Sequence, residues 1–348
     1  MKAFVLHAIK DFRLEEVNRP VPEPGEALVR VRAAGICGSD IPRIYRTGTY
    51  HYPLIPGHEF SGEVAELGAG VDKKWLGKRV GVFPLIPCKS CSACGAKRYE
   101  LCKNYNYLGS RTAGGFAEYV RVPVWNLIEL PDRVTFEQAA MLEPMSVAAH
   151  AIRRLSVRKE DSILVCGQGT IGLFIVMLLR EMGCHLVYVA GNKDFQLLQA
   201  GRLGIPREHC CDVREAVLED WVADRTQGEG VDVFFDCVGK NEVLEQGLNS
   251  LAAEGRMMLV GNPASDVELS RNVYWKILRR QLKLQGTWNS SYTHETSDDW
   301  HYVLERLEKG RIRPEEMITH RLPLGELMQG FEMMRDKKGD FVKVMGVW

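Results

Sequence analysis

Over the first third of the chain, apolar residues alternate with polar ones or gather in short runs. Residues 4–6, 12–17 and 27–33 read as strands, broken by Pro20, Pro22, Pro24 and Gly25. Short strands follow at 60–67 and 78–83, so this region is expected to be β-rich and barrel-like. Strand and loop return over 110–131, with runs at 114–122 and 125–130. The period turns helical over 136–155, where Ala139, Ala140, Leu142, Val147, Ala148 and Ile152 supply one apolar face. Pro144 predicts a bend or restart inside that helix.

A different period begins at residue 162. An apolar strand over 162–166 runs into Gly167-Gln168-Gly169-Thr170-Ile171-Gly172, then an apolar helix over 173–182 and a strand over 186–189. Strand, glycine turn, helix, strand is the context a dinucleotide-binding fingerprint requires. The glycines allow a tight turn, and the helix N-terminus offers free N–H groups to a pyrophosphate. Further strands at 231–238, 256–260 and 282–287, with helical segments between them, predict an open, doubly wound, mainly parallel sheet of Rossmann type. A helix over 298–307 and a strand over 341–345 are too few for a separate domain, so the tail is expected to return to the first one.

The chain has 348 residues, which suggests two domains in an α/β protein. Its 45 basic and 45 acidic residues give a formal charge of zero. That argues against broad attraction to nucleic acid or to an anionic membrane. No apolar run reaches a membrane span, and residues 1–7 are too short and mixed for a signal peptide, so a cytoplasmic protein is expected.

Four of the ten cysteines crowd into one stretch: Cys88, Cys91, Cys94 and Cys102. Two-residue gaps let successive thiolates converge, and four thiolates close a tetrahedral shell, so a structural Zn²⁺ is expected there. A second constellation offers one sulfur, one nitrogen and one oxygen: Cys37, His58 and Glu59, set among glycines. Three protein ligands on Zn²⁺ leave a fourth position for water or substrate. Glu143, beside Pro144, is a further carboxylate that could reach the same ion or could serve only as a first-turn helix acid.

With His58 and Glu59, the cysteine quartet and the Gly167 fingerprint in that order, the chain resembles zinc-dependent medium-chain alcohol and polyol dehydrogenases end to end. Within that family, the stretches 37–44, 51–53, 84–88, 109–111 and 114–119 are similar to the subgroup that acts on polyol phosphates such as galactitol 1-phosphate. The resemblance implies a GroES-like catalytic domain (1–147 with 288–348) around a Rossmann domain (148–287). It implies that Cys37, His58 and Glu59 ligate the catalytic zinc, with Glu143 as a direct or water-mediated ligand, and that the protein is a dimer or tetramer. Ser39 is the candidate to relay the substrate hydroxyl proton. Where many polyol dehydrogenases carry a relay histidine, this chain has Pro42 or Arg43.

Arg43 and Arg111 are candidate phosphate readers and Asn289 a further candidate substrate contact. An unphosphorylated polyol or sugar acid is the alternative substrate, and a non-catalytic zinc- and nucleotide-binding sensor the remote one. At the end of the second Rossmann strand, where an NAD site carries an acid, the chain has Gly191, Asn192 and Lys193, with no acid until Asp194. That favours NADP over NAD; the alternative is that Asp194 bends back to serve the ribose or caps the following helix, over 195–203.

Overall fold

A computed structural model of the chain describes residues 1–263 and 265–348. It divides into two units, Met1–Pro144 with Ser290–Trp348, and Met145–Asn289.

The first unit is built on a seven-stranded sheet. Its path runs Ile318–Leu322, Lys343–Val347, Glu26–Gly35, Glu59–Leu67, Arg79–Val82 and Leu127–Glu129, and Tyr119–Pro123 pairs with Glu26–Gly35 off that path. The alternating runs become strands whose inner residues, among them Val29, Val31, Val64, Val80 and Val122, pack with Phe4, Phe60, Phe116 and Phe331 in one core. The register of this sheet sets which strand ends meet. Gly35, at the end of its strand, lies opposite Glu59 on one side and Met345 on the other.

The run 114–122 is strand only over Tyr119–Pro123, the last strand is Lys343–Val347, and Cys210–Asp212 is a strand the sequence pattern did not show; two further differences have a visible cause. Trp125 belongs to a 3₁₀ turn, Val124–Asn126, and only Leu127–Glu129 is strand, because buried Asn126 spends its side-chain amide on the Phe83 and Leu85 carbonyls. The 136–155 segment is two helices, Phe136–Ala140 and Leu142–Arg154, parted at Met141. Pro144 falls in the first turn of the second helix, where no intrahelical N–H is needed.

The second unit is a six-stranded, all-parallel sheet in the order Cys210–Asp212, Val187–Gly191, Ile163–Cys166, Val231–Asp236, Leu251–Leu259, Lys283–Gly286. This is the order of a doubly wound dinucleotide-binding sheet, with the switch point beside the first strand, Ile163–Cys166. That strand is buried throughout, as central parallel strands are. No described helix is long and apolar enough to cross a membrane.

Candidate active site

The strand Glu26–Gly35 delivers Cys37 to a tight turn, and the strand Glu59–Leu67 begins with Glu59 directly after His58. Their pairing brings the ligand atoms of Cys37, His58 and Glu59 within 4.8 Å of one another. His58 and Glu59 are buried, and Cys37 is half-buried.

Asp40, fully buried, organises this turn. It accepts the Cys37 backbone N–H at 3.1 Å and an Arg43 guanidinium N–H at 2.5 Å, and it faces His58 Nδ1 at 3.6 Å. Burial disfavours the imidazolium, but Asp40 and then Cys37 outweigh it and carry the His58 pKa up to about 10. Ser39 donates to Cys37 Sγ at 3.3 Å.

Glu143 belongs to the same neighbourhood, with its Oε1 accepting from the Tyr107 hydroxyl at 3.2 Å. Burial pushes its carboxyl up to about 7; His58 opposes that shift and Glu59 reinforces it. The cluster thus collects a thiol and three carboxyl groups around one imidazole that it holds protonated. Such a set asks for a cation. Sulfur, nitrogen and oxygen donors in this number fit Zn²⁺ with an open position. His58 Nδ1 is buried without a hydrogen bond and faces Asp40.

The four-cysteine lobe fits as well. Cys91 Sγ lies 3.6 Å from Cys94 Sγ and 3.9 Å from Cys102 Sγ, and Cys88 Sγ lies 4.0 Å from Cys94 Sγ. Tetrahedral thiolates at 2.3 Å from zinc stand about 3.8 Å apart. None of these thiols is in a disulfide. The Ser90 hydroxyl and N–H, with Cys102, hold the Cys88 thiol down to about 5.

In the second unit, Gly167 has φ +94° and starts the turn that Gly169 ends as N-cap of the helix Thr170–Glu181. A Cβ on Gly172 would meet the Gly167 carbonyl oxygen at 1.9 Å, so the helix packs on the turn only with glycine there. A Cβ on Gly169 would meet nothing within 4 Å, and no side chain caps this helix. That open turn at the start of a helix fits a pyrophosphate. At the end of Val187–Gly191, Asn192 and Lys193 are exposed. A Cβ on Gly191 would lie 3.5 Å from Gln168, so this position borders the glycine turn.

Asp194 neither caps its helix nor stands apart. It pairs with Arg214, which also holds Asp212, the residue opposite Gly191 in the sheet register. Arg214 thus pairs both acids that neighbour Gly191, Asn192 and Lys193.

The two candidate phosphate readers both have partners. Arg43 is bound to Asp40 with its side chain 18% exposed. Arg111 is stacked between Tyr50 and Tyr105, 4.3 Å from each ring, and donates to the Tyr105 carbonyl. Asn289 closes the second unit with φ 56°.

Three residues that touch the cluster have no role in the sequence motifs: Asp40, Tyr107 and Lys343. Asp40 stands in the glycine-rich stretch that carries Cys37, so its place is visible in the sequence. Tyr107 has no such signal. Lys343, the first residue of its strand, interrupts the apolar sequence run 341–345, and that interruption is the clue.

Comparison with known proteins gives a consistent picture. Residues 23–132 match the alcohol dehydrogenase GroES-like domain, and residues 170–309 match the zinc-binding dehydrogenase family. Sorbitol dehydrogenase of Halalkalibacterium halodurans is 31% identical over 353 residues, covering 99% of this chain and 98% of the relative. Galactitol 1-phosphate 5-dehydrogenase of Escherichia coli K12 is 29% identical over 312 residues, 88% of each. The crystal structure of galactitol-1-phosphate dehydrogenase from E. coli matches with a TM-score of 0.92 at 28% identity, covering both chains fully. A zinc-binding dehydrogenase from Sinorhizobium meliloti 1021 bound to NADP matches at 0.91 and 27% identity, covering 100% of this chain and 99% of that one. A short chain alcohol dehydrogenase from E. coli CFT073 complexed with NADH matches at 0.91 and 28% identity, with the same coverage.

Proposed function

We propose that this chain, which belongs to the zinc-dependent medium-chain alcohol and polyol dehydrogenase family, transfers a hydride between a secondary alcohol of a polyol phosphate and NADP. The membership makes it an oxidoreductase that works with zinc and a nicotinamide cofactor on a small molecule. The observation that carries the reading is the cluster of Cys37, His58 and Glu59, whose ligand atoms lie within 4.8 Å of one another; three protein ligands on Zn²⁺ would leave a fourth position open.

In this reading Cys37, His58 and Glu59 hold the catalytic zinc, Glu143 stands by as a fourth or water-mediated ligand, and the cysteine quartet holds the structural one. The chemistry a zinc ion supplies at such a site is Lewis acidity toward an alcohol oxygen. Ser39, half-buried beside Cys37 Sγ, would accept the substrate hydroxyl proton as its own hydroxyl proton passes to solvent. Asp40 fixes the imidazole by facing Nδ1, the outer-partner role that orients ligating histidines. The Gly167–Gly172 turn and the helix behind it seat the pyrophosphate. A screen of purified enzyme on polyols and their phosphates, with both nicotinamide cofactors, tests the whole; turnover of none of them ends the reading.

Arg43 is the proposed phosphate contact, through guanidinium donors beyond the one that Asp40 uses, with Arg111 and Asn289 as further substrate contacts. Arg43→Ala also strips Asp40 of its partner, which would impair all substrates alike through His58. The discriminating quantity is therefore the difference between substrates. A charged hydrogen bond contributes about 1.5–3 kcal/mol, so KM for the phosphorylated polyol should rise about 10–100-fold more than KM for the free polyol. Equal losses on both point to the second reading, an unphosphorylated polyol. That reading is favoured by the commitments of Arg43 and Arg111 to Asp40 and to the two tyrosines.

The preference for NADP rests on a carboxylate missing at Gly191 and on cations around it. Asn192 and Lys193 are exposed, and the two acids nearby, Asp194 and Asp212, are both paired with Arg214. A carboxylate at Gly191 would have repelled a 2′-phosphate. The expected result is a higher kcat/KM with NADP than with NAD, and a drop of about tenfold or more with NADP alone in Lys193→Ala and Arg214→Ala. A clear NAD preference in the wild type overturns this.

A further inference from the structure

Lys343 is 1% exposed, and the cluster's sequence motif says nothing of it. Its ammonium touches Glu59 Oε2 and donates to the Ile36 carbonyl at 3.2 Å. The sheet register explains the meeting. Lys343 lies two residues before Met345, which pairs with Gly35, and Gly35 pairs with Glu59 on its other side. Three adjacent strands thus converge where the chain leaves for Cys37. Gly35 provides the space. A Cβ there would fall 2.3 Å from Glu59 Oε2 and 3.0 Å from Lys343 Cε.

We infer that Lys343 is a positioning residue for the catalytic metal: it engages Glu59 Oε2 and leaves one carboxylate oxygen, Oε1, to face the ion. The inference rests on the reading of Cys37, His58 and Glu59 as ligands. A carboxylate can bind a metal through one oxygen or two, and a cation on one oxygen disfavours the second mode. With Lys343 in place, the fourth position stays open and the ion keeps its pull on an alcohol oxygen. Without it, Glu59 can close on the ion with both oxygens.

The test uses the zinc enzyme and its Co²⁺-substituted form. Lys343→Met is expected to keep two metals per chain and to release the catalytic one to EDTA no faster than the wild type. Its kcat should fall about tenfold or more, the scale of losing an outer partner of a metal ligand. The visible absorption of its cobalt form should weaken as coordination rises above four. Lys343→Gln, whose amide can still donate to Glu59, should recover the wild-type cobalt spectrum. Should Lys343→Met fail to fold, Gly35→Ala keeps both charges but parts the pair, and the same loss of kcat with metal retained is expected. Faster metal loss, or unchanged turnover and spectrum, overturns the inference and leaves Lys343 a structural counter-ion. If wild-type enzyme carries fewer than two zincs, the ligand reading itself fails, which is a separate outcome.

Discussion

Replacing Cys37 with serine is expected to abolish turnover while the chain stays folded and keeps one zinc. Cys37 contributes little to the core. It is half-buried at the end of its strand, and the turn that follows is held by Asp40 accepting the Cys37 backbone N–H, which serine retains. What is lost is the only sulfur of the three-ligand cluster. A serine hydroxyl stays protonated near neutral pH and binds zinc poorly beside a thiolate, because the ion's affinity follows ligand charge and softness. Losing an outer partner of a metal ligand costs about 10–100-fold, so losing a ligand should exceed that. Two readouts check the claim together: zinc per chain falling from two to one, and a thermal midpoint within a few degrees of the wild type. A wild type that carries one zinc or none would sink it, as would a Cys37→Ser enzyme that still turns over.

Much of this site was legible because its parts are short in sequence. Cys37, His58 and Glu59 are carried by two strand ends, and the quartet lies within one loop, so ligand types and spacing point to metal before any coordinates are known. The glycine turn was legible for the same reason: strand, turn and helix are consecutive. What stayed hidden depends on pairing between distant strands. Lys343 reaches Glu59 only because the strands Lys343–Val347, Glu26–Gly35 and Glu59–Leu67 lie side by side in one register, and nothing local in the sequence fixes that order. Tyr107 is brought to Glu143 in the same non-local way. Arg43 and Arg111 show the converse limit. A cation beside a candidate ligand suggests an anion site, but sequence does not reveal that a buried Asp40 or a pair of tyrosine rings already claims it. The strand and helix boundaries shifted by only a few residues, as at Met141 and Trp125, where capping and a buried asparagine decided against the local pattern.

Cys94→Ser is expected to act on stability and to spare the chemistry. Cys94 is buried in the lobe, with its sulfur 3.6 Å from Cys91 and 4.0 Å from Cys88. Burial pushes its thiol up to about 12, so without an ion to claim the proton this sulfur stays neutral. A bound zinc would draw all four sulfurs together as thiolates. The lobe has little else to fold it: one helical turn, Ser92–Gly95, and a 3₁₀ turn, Tyr99–Leu101. Among its ties to the rest of the unit are an exposed Lys97–Glu295 pair, Lys89 over the Trp125 ring at 5.0 Å and Tyr99 edge-on to the same ring at 5.0 Å. An exposed pair contributes at most about 1 kcal/mol, whereas a structural zinc in a small peptide contributes about 10–16 kcal/mol of apparent binding energy. Part of that energy goes into ordering the lobe, so a net loss of about 3–5 kcal/mol is expected, or roughly 10 °C in the thermal midpoint for a unit of this size. Zinc should fall from two to one per chain. Turnover per folded molecule at 25 °C should stay within about threefold of the wild type, since Cys37, His58 and Glu59 are untouched. Adding a chelator should lower the wild-type midpoint toward that of the variant and move the variant's midpoint far less. An enzyme that loses turnover while keeping its thermal midpoint would move the quartet from folding to catalysis and end this assignment.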